Sequence, residues 1–224
     1  MKTKNILRAF LTLVFVLGIG AMNAQDKIYV HKKDGTGAEF NLADIDSISF
    51  TPLQGNSGKV LDGCESLDGW GLWHSVPGES ASLSLDTEDK KQGNSSMKVD
   101  VAVGGTWTLE KKPAPFDTEV TLENGYLAFE MYISDVDILK KAAHFMVTIS
   151  SSGTNDADRI FRYQLNSLSL NNGWNTVELK LSDQESTGTC NLKAINYFRF
   201  LINDNTNYAA APLVLKFDNI RFYE

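Results

Sequence analysis

The sequence predicts an all-β fold, a sandwich or barrel built from many short strands. Two observations predict it. Apolar residues alternate with polar ones at a period of two in segment after segment. Turn residues then break these segments at short spacing, as in "DTEDKKQGNSS" and "NNGWN". Only "DVDILKKAA" reads as a short helix, with Asp135 as its N-cap. At 224 residues the chain is long enough for one core of moderate size with small appendages.

The first 24 residues differ in kind. Lys2, Lys4 and Arg8 precede the apolar run "LTLVFVLGIGAMNA", which has the length of a signal-peptide core and is short for a membrane span. Residues 1–24 are therefore read as a signal peptide cleaved after Ala24. No cysteine stands near the end of the run for a lipid anchor, and no second apolar run follows. The expectation is an exported chain that is periplasmic, cell-surface or secreted. Residues 25–50 read as a β-hairpin appendage: "KIYVHKKDGTGAEFNL" is two alternating runs around Asp34-Gly35, followed by "IDSISF". A hairpin of this size is marginal alone and needs the main domain or a protein partner. Residues 51–59, "TPLQGNSGK", read as a linker, and the main domain as 60–224.

Charge narrows the function. The formal charge is −7, and without the three cations of residues 1–24 it becomes −10. A balance this acidic argues against nucleic acid and anionic membranes, which require basic patches. Cys64 and Cys190 are permitted a disulfide in an exported protein, or are two buried thiols; their sequence separation does not decide.

The main-domain strands carry two faces. Met97, Val99, Val101 and Val103 share one face of "SMKVDVAV"; Leu127, Phe129, Met131 and Ile133 share one in "GYLAFEMYIS"; Phe145, Val147 and Ile149 share one in "HFMVTIS". "SASLSLD", "RIFRYQL", "WNTVELKL", "YFRFLIN" and "LVLKFDNIRFY" complete the set. The second face holds Glu130, Tyr132, His144, Thr148, Arg162, Gln164, Tyr197, Arg199 and Asn203. A plain solvent face would be richer in Lys and Glu. In the last strand, Leu213, Leu215 and Phe217 share one parity while Ile220 and Phe222 share the other. This phase switch predicts a β-bulge at Asp218-Asn219. The bulge aims Asp218 at something near the sheet edge, or leaves it an exposed edge residue.

Several short motifs occur in a telling order. "LDGCESLDGW" contains Glu65. "LSLDTEDKKQGNSSMKV" holds Asp86, Glu88 and Gly93. Gly173-Trp174-Asn175 opens a later strand, and Asp218-Asn219-Ile220 lies in the last. Over residues 60–224 this order resembles the galactose-binding-domain-like jelly-roll β-sandwich of many carbohydrate-binding modules. The resemblance implies a structural calcium near the chain ends, with Glu65 and Asp218 as ligands, Asp86 or Glu88 as a third, and backbone carbonyls around Lys90 and Gly93. The alternative is an acidic surface loop without metal. It also implies a sugar site in one of two places. On a concave face the candidates are Tyr132, His144, Arg162, Gln164, Tyr197, Arg199 and Asn203. In loops they are Trp70, Trp73, His74, Asp204 and Tyr208. Trp107 and Trp174 read as core, and Trp70 is favoured as core. Arg199 has a bland alternative in pairing with Glu130. The N-terminal hairpin resembles short segments of exported proteins of glycan-degrading gut bacteria.

The expected function is non-catalytic glycan binding. No catalytic carboxylate pair, phosphate loop or zinc-ligand spacing stands out. A second reading is a polysaccharide lyase acting on uronate polymers, for which His144, Arg162, Gln164, Tyr197 and Arg199 supply the residue types: an aromatic hydroxyl or imidazole moves the proton and an Arg neutralises the carboxylate. A third is a structural, adhesin-like domain that binds a protein partner through the hairpin. Convergence of His144, Arg199 and Tyr197 in a deep groove would favour the lyase.

Overall fold

A computed structural model describes residues 27–31, 37–41, 58–76, 78, 80–204 and 210–224. The chain divides into two compact units, Met1–Gly55 and Asn56–Glu224. In the first, β1 (Lys27–His31) pairs antiparallel with β2 (Gly37–Asn41), in register from Lys27↔Asn41 to His31↔Gly37. The expected turn at Asp34-Gly35, the signal peptide 1–24 and the "IDSISF" run lie outside the described residues. Among the described residues no helix is long and apolar enough to cross a membrane.

The second unit consists of β3 (Lys59–Asp62), β4 (Trp70–His74), β5 (Ala81–Asp86), β6 (Ser96–Val101), β7 (Trp107–Lys111), β8 (Tyr126–Ile133), β9 (His144–Ser150), β10 (Arg159–Arg162), β11 (Gly173–Lys180), β12 (Glu185–Thr187), β13 (Tyr197–Asn203) and β14 (Leu213–Tyr223). They form two six-stranded antiparallel sheets. One has the order β11-β8-β14-β6-β5, with β3 also on β14; the other has the order β12-β10-β9-β13-β7-β4. Helix α1 (Val136–Leu139) is capped as expected: Asp135 Oδ1 accepts from the N–H groups of Asp137 and Ile138 at 2.9 and 3.2 Å.

The period-two pattern builds the core. Phe129 and Phe217 of the β14 sheet close on Phe200 of the β13 sheet, with ring centroids 5.1 and 4.1 Å from it, and all three are fully buried. Trp107 is core, as expected. Trp70 packs edge-on against Phe198, and its Nε1 donates to Asp62 at 3.0 Å. β6 ends at Val101, so Val103 is exposed rather than facing the core. The two thiols are free, Cys64 buried and Cys190 half-buried.

The bulge in β14 lies where the phase switch placed it. Four residues of β14, from Asp218 to Arg221, oppose three of β8, from Glu130 to Ala128. Asn219 takes up the extra length with φ +50°, a left-handed conformation that Asn tolerates. The bulge also divides the other side of β14. β6 pairs with Leu213–Phe217 and β3 with Ile220–Phe222. The end of β3 and the start of β6 thus meet beside Asp218.

Candidate functional site

At that junction three distant stretches converge. Asp218 is fully buried; its Oδ2 accepts from the Lys91 and Gln92 N–H groups at 2.7 and 2.8 Å, while Oδ1 has no partner. Glu65, just beyond β3, accepts from the Asn94 N–H at 2.9 and 3.0 Å through its two oxygens. Gly93 has φ +62°, and a Cβ there would lie 1.5 Å from Glu65 Oε1, so only glycine lets the carboxylate in. Burial raises the Asp218 pKa against the pull of backbone donors, and the Glu65 charge adds to the rise. Glu65 and Asp218 therefore meet at one loop, each held by backbone N–H groups of residues 91–94.

Asp86 is engaged elsewhere. Its Oδ1 accepts from the Glu88 and Asp89 N–H groups, and its Oδ2 lies 2.8 Å from Lys216 Nζ. The Lys216 hydrogen bond comes first in holding the Asp86 pKa down at about 2. Lys216 also reaches Asp89 at 2.6 Å and sits over the Tyr132 ring at 4.6 Å. Among the described residues no three acidic, His or Cys side chains gather as a metal-ligand set.

The expected sugar-binding residues divide among three environments, because period two sorts faces within a strand but not strands into sheets. Tyr132 lies in β8, on the outer face of the β14 sheet, against Trp174 at 5.8 Å. Trp174 is on that face too and not in the core; its Nε1 donates to Asp89 at 2.8 Å. Arg162 has the parity of Ile160 in β10. It lines a cleft between the sheets with Leu127, Val147 and Leu179. These two residues do not share a surface with the others.

His144, Tyr197, Arg199 and Asn203 do lie together on the outer face of the β13 sheet, and Gln164 joins them. Gln164 Nε2 is 2.7 Å from His144 Nδ1, and Tyr163 packs on the His144 ring at 4.4 Å. Asn203 pairs with His144 in register and accepts from Thr106 Oγ1 at 3.2 Å. Tyr197 donates to Glu110 at 2.9 Å. Burial pushes its pKa up to about 12, with the Arg199 charge opposing. Arg199 Nη2 donates to Asn155 Oδ1 at 2.5 Å. Its expected alternative partner, Glu130, stands on the other sheet, 3.8 Å from Arg221. His144 and Tyr197 occupy opposite ends of the β9–β13 pairing, about 20 Å apart for six strand residues. The convergence a lyase needs is absent from this set.

Of the loop candidates, Trp73 belongs to this face. It sits in edge strand β4, 57% exposed, opposite Thr108. Gly71, two residues earlier, has open space where a Cβ would be and pairs with Glu110. The face thus carries a bare indole beside an open floor with a carboxylate next to it. His74 folds inward, its Nδ1 accepting from the Val76 N–H at 3.0 Å. Asp204 is buried and accepts from the Ala210 N–H at 3.0 Å. Tyr208 lies outside the described residues. The sequence reading passed over Glu110, Asn155 and Arg159; the alternation of "WTLEK" was the available signal for Glu110.

No protein-family model matches the chain, and no curated protein sequence matches it. Solved structures do resemble it. The family 11 carbohydrate-binding module from Clostridium thermocellum, in complex with a β-1,3-1,4-mixed-linked tetrasaccharide, is similar at TM-score 0.46 and 18% identity, over 73% of this chain and 94% of that one. The family 30 carbohydrate-binding module of a cellulosomal cellulase of the same organism is similar at TM-score 0.49 and 16% identity, over 68% of this chain and 91% of that one. An exo-β-agarase is similar at TM-score 0.51 and 11% identity, over 74% of this chain and 25% of that one. The domain is a jelly-roll β-sandwich. At these identities the likenesses bear on the fold alone. The outer face of the jelly roll's β13 sheet, and the junction at Asp218, stand on their own geometry.

Proposed function

We propose that this chain is an exported, non-catalytic glycan-binding protein whose site is the outer face of the β13 sheet. The observation that carries the reading is Trp73, more than half exposed beside the open floor at Gly71. A flat indole fits the apolar face of a pyranose. Neighbouring Glu110, Arg199 and the His144–Gln164 pair supply hydrogen bonds to hydroxyls. The exposed Tyr163 stands at the far side of the same face, four strand spacings or about 19 Å away. The modules named above belong to this ligand class, and the reading extends it to this chain.

The same reading places a structural calcium at the Asp218 junction. Calcium is a hard cation that takes six to eight oxygens. Asp218 Oδ1, buried and unpartnered, and the Glu65 carboxylate are suited to it, with carbonyls of the 87–95 loop completing the shell. Asp86, committed to Lys216, is not part of this set. The ion would fasten the end of β3, the start of β6 and the bulge of β14, and would take no part in chemistry. The N-terminal hairpin is given to a protein partner and residues 1–24 to export.

A glycan array probed with the full chain and with Trp73→Ala tests the reading. Binding to one or more polysaccharides that the variant loses is the expected result; an array silent for both proteins would overturn it. Incubation with uronate polymers should produce no absorbance from unsaturated ends.

A further inference from the structure

Beside the Trp73 shelf, the β13 sheet gathers two guanidinium groups, Arg159 and Arg199, whose hydrogen bonds converge on one amide oxygen. Arg199 stands opposite Thr148 in the β13–β9 register, and Arg159 opposite Ser150 in the β9–β10 register. Thr148 and Ser150 are two apart in β9, so the four side chains form one patch. Asn155 Oδ1 accepts from both arginines, from Arg159 Nη1 at 3.1 Å and Arg199 Nη2 at 2.5 Å. Arg199 is 9% exposed and Thr148 1%. The Nε of each arginine and the Thr148 hydroxyl are buried without a partner. Among the described residues neither arginine has an ion pair. The nearby carboxylates have other partners: Asp158 accepts from the Ser150 and Ser151 hydroxyls, and Glu110, opposite Arg199 in the β13–β7 register, accepts from Tyr197 through Oε2 and forms no ion pair with Arg199.

Buried donors without acceptors are costly, and two like charges sharing one amide oxygen are under-compensated. A planar carboxylate offers two acceptor oxygens and a full negative charge, where Asn155 offers one oxygen and none. We infer that this patch is a subsite for the carboxylate of an acidic sugar, so that the chain prefers glycans containing uronic acid to their neutral counterparts. The inference rests on the glycan reading above and adds the ligand class to it. Arg159 and Arg199 hold the carboxylate in place of Asn155 Oδ1, while Trp73 and the open floor accept the rest of the oligosaccharide.

The test is calorimetric titration of the full chain with uronate oligosaccharides, neutral oligosaccharides of matched linkage and sulfated oligosaccharides. The uronate series should bind at least about tenfold tighter than the neutral one, the value of one charge-assisted hydrogen bond. Arg159→Gln should bring the two series to within about twofold of each other, a residue nearer the sheet edge being chosen so that folding survives. Asn155→Ala, which removes the competing acceptor, should widen the preference. Neutral glycans bound as tightly as uronates by the wild type would overturn the inference and leave the glycan reading intact. A preference for sulfated over uronate ligands would overturn the carboxylate assignment. Absence of binding in all three series would remove both.

Discussion

The junction at Asp218 makes a sharp thermodynamic prediction. The carboxylate is fully buried, and only one of its oxygens has partners. Burial raises its folded pKa above the unfolded value, although the Gln92, Lys91 and Asn219 backbone donors oppose the rise. A raised carboxyl pKa favours folding below the unfolded value, about pH 4. That contribution is lost as pH rises through the folded pKa. At neutral pH the ionised Asp218 therefore costs stability unless a cation faces it; an unpartnered buried acceptor costs about 1–3 kcal/mol. Asp218→Asn keeps the shape and removes the charge, so in EDTA it should unfold at or above the wild-type temperature. Millimolar calcium should reverse the order. An ion at a hundredfold excess over its Kd stabilises the wild type by about 2.7 kcal/mol. For a domain of this size that raises Tm by about 5–10 °C. The variant should not respond. Thermal unfolding followed by circular dichroism, with EDTA or with calcium, reads all four values. A wild-type Tm indifferent to calcium, or an Asn variant that shifts as far as the wild type, would refute the reasoning.

Three further outcomes are expected. Asp86, held at about pKa 2 by Lys216 and the Asp89 and Glu88 N–H groups, contributes stability that is complete above about pH 4 and lost as pH falls toward 2. Lys216→Met should flatten that acid slope in pH-dependent denaturant melts, and an unchanged slope would remove the ion pair from the account. Phe200→Ala, which empties the centre of the sandwich, should cost about 3–5 kcal/mol in urea unfolding. Trp73→Ala should leave urea unfolding within about 0.5 kcal/mol of wild type, as for other exposed sites. The same change should weaken glycan binding by about 2 kcal/mol, the scale of an aromatic hot spot.

Much of this was legible in the residues. The broken alternation around Asp218 located the bulge, because a side-chain period of two cannot change phase without an extra residue. The convergence of Glu65 with Asp218 was legible only through motif order, since it depends on β3 and β6 sharing one side of β14. Tyr132 and Tyr197 have the same pattern in their strands, yet they ended on opposite sides of the sandwich. Alternation states which residues share a face of one strand and is silent on which strands become neighbours. Arg162 points inward with Ile160, because in β10 it is Arg159 and Phe161 that stand opposite the outer-face Ser150 and Thr148, a register that four residues of alternation do not reveal. β4 went unread as a strand: Gly71 and the flanking Gly69 look like a turn, and so Trp73 was placed in a loop. The Lys216–Asp86–Asp89 cluster joins residues about 130 positions apart that the pairing of β14 with β6, and of β6 with β5, brings together.

The four tryptophans report separately on the places a ligand could go. Trp73 is exposed on the β13 face, Trp174 lies on the opposite sheet, Trp107 is in the core and Trp70 packs at the edge against Phe198. Nuclear magnetic resonance of the indole N–H groups during titration with a bound oligosaccharide tests the central claim directly. The account predicts that the Trp73 resonance moves with saturation while those of Trp107 and Trp174 stay in place. Movement of Trp174 with Trp73 unmoved would put the ligand on the wrong side of the sandwich and contradict it.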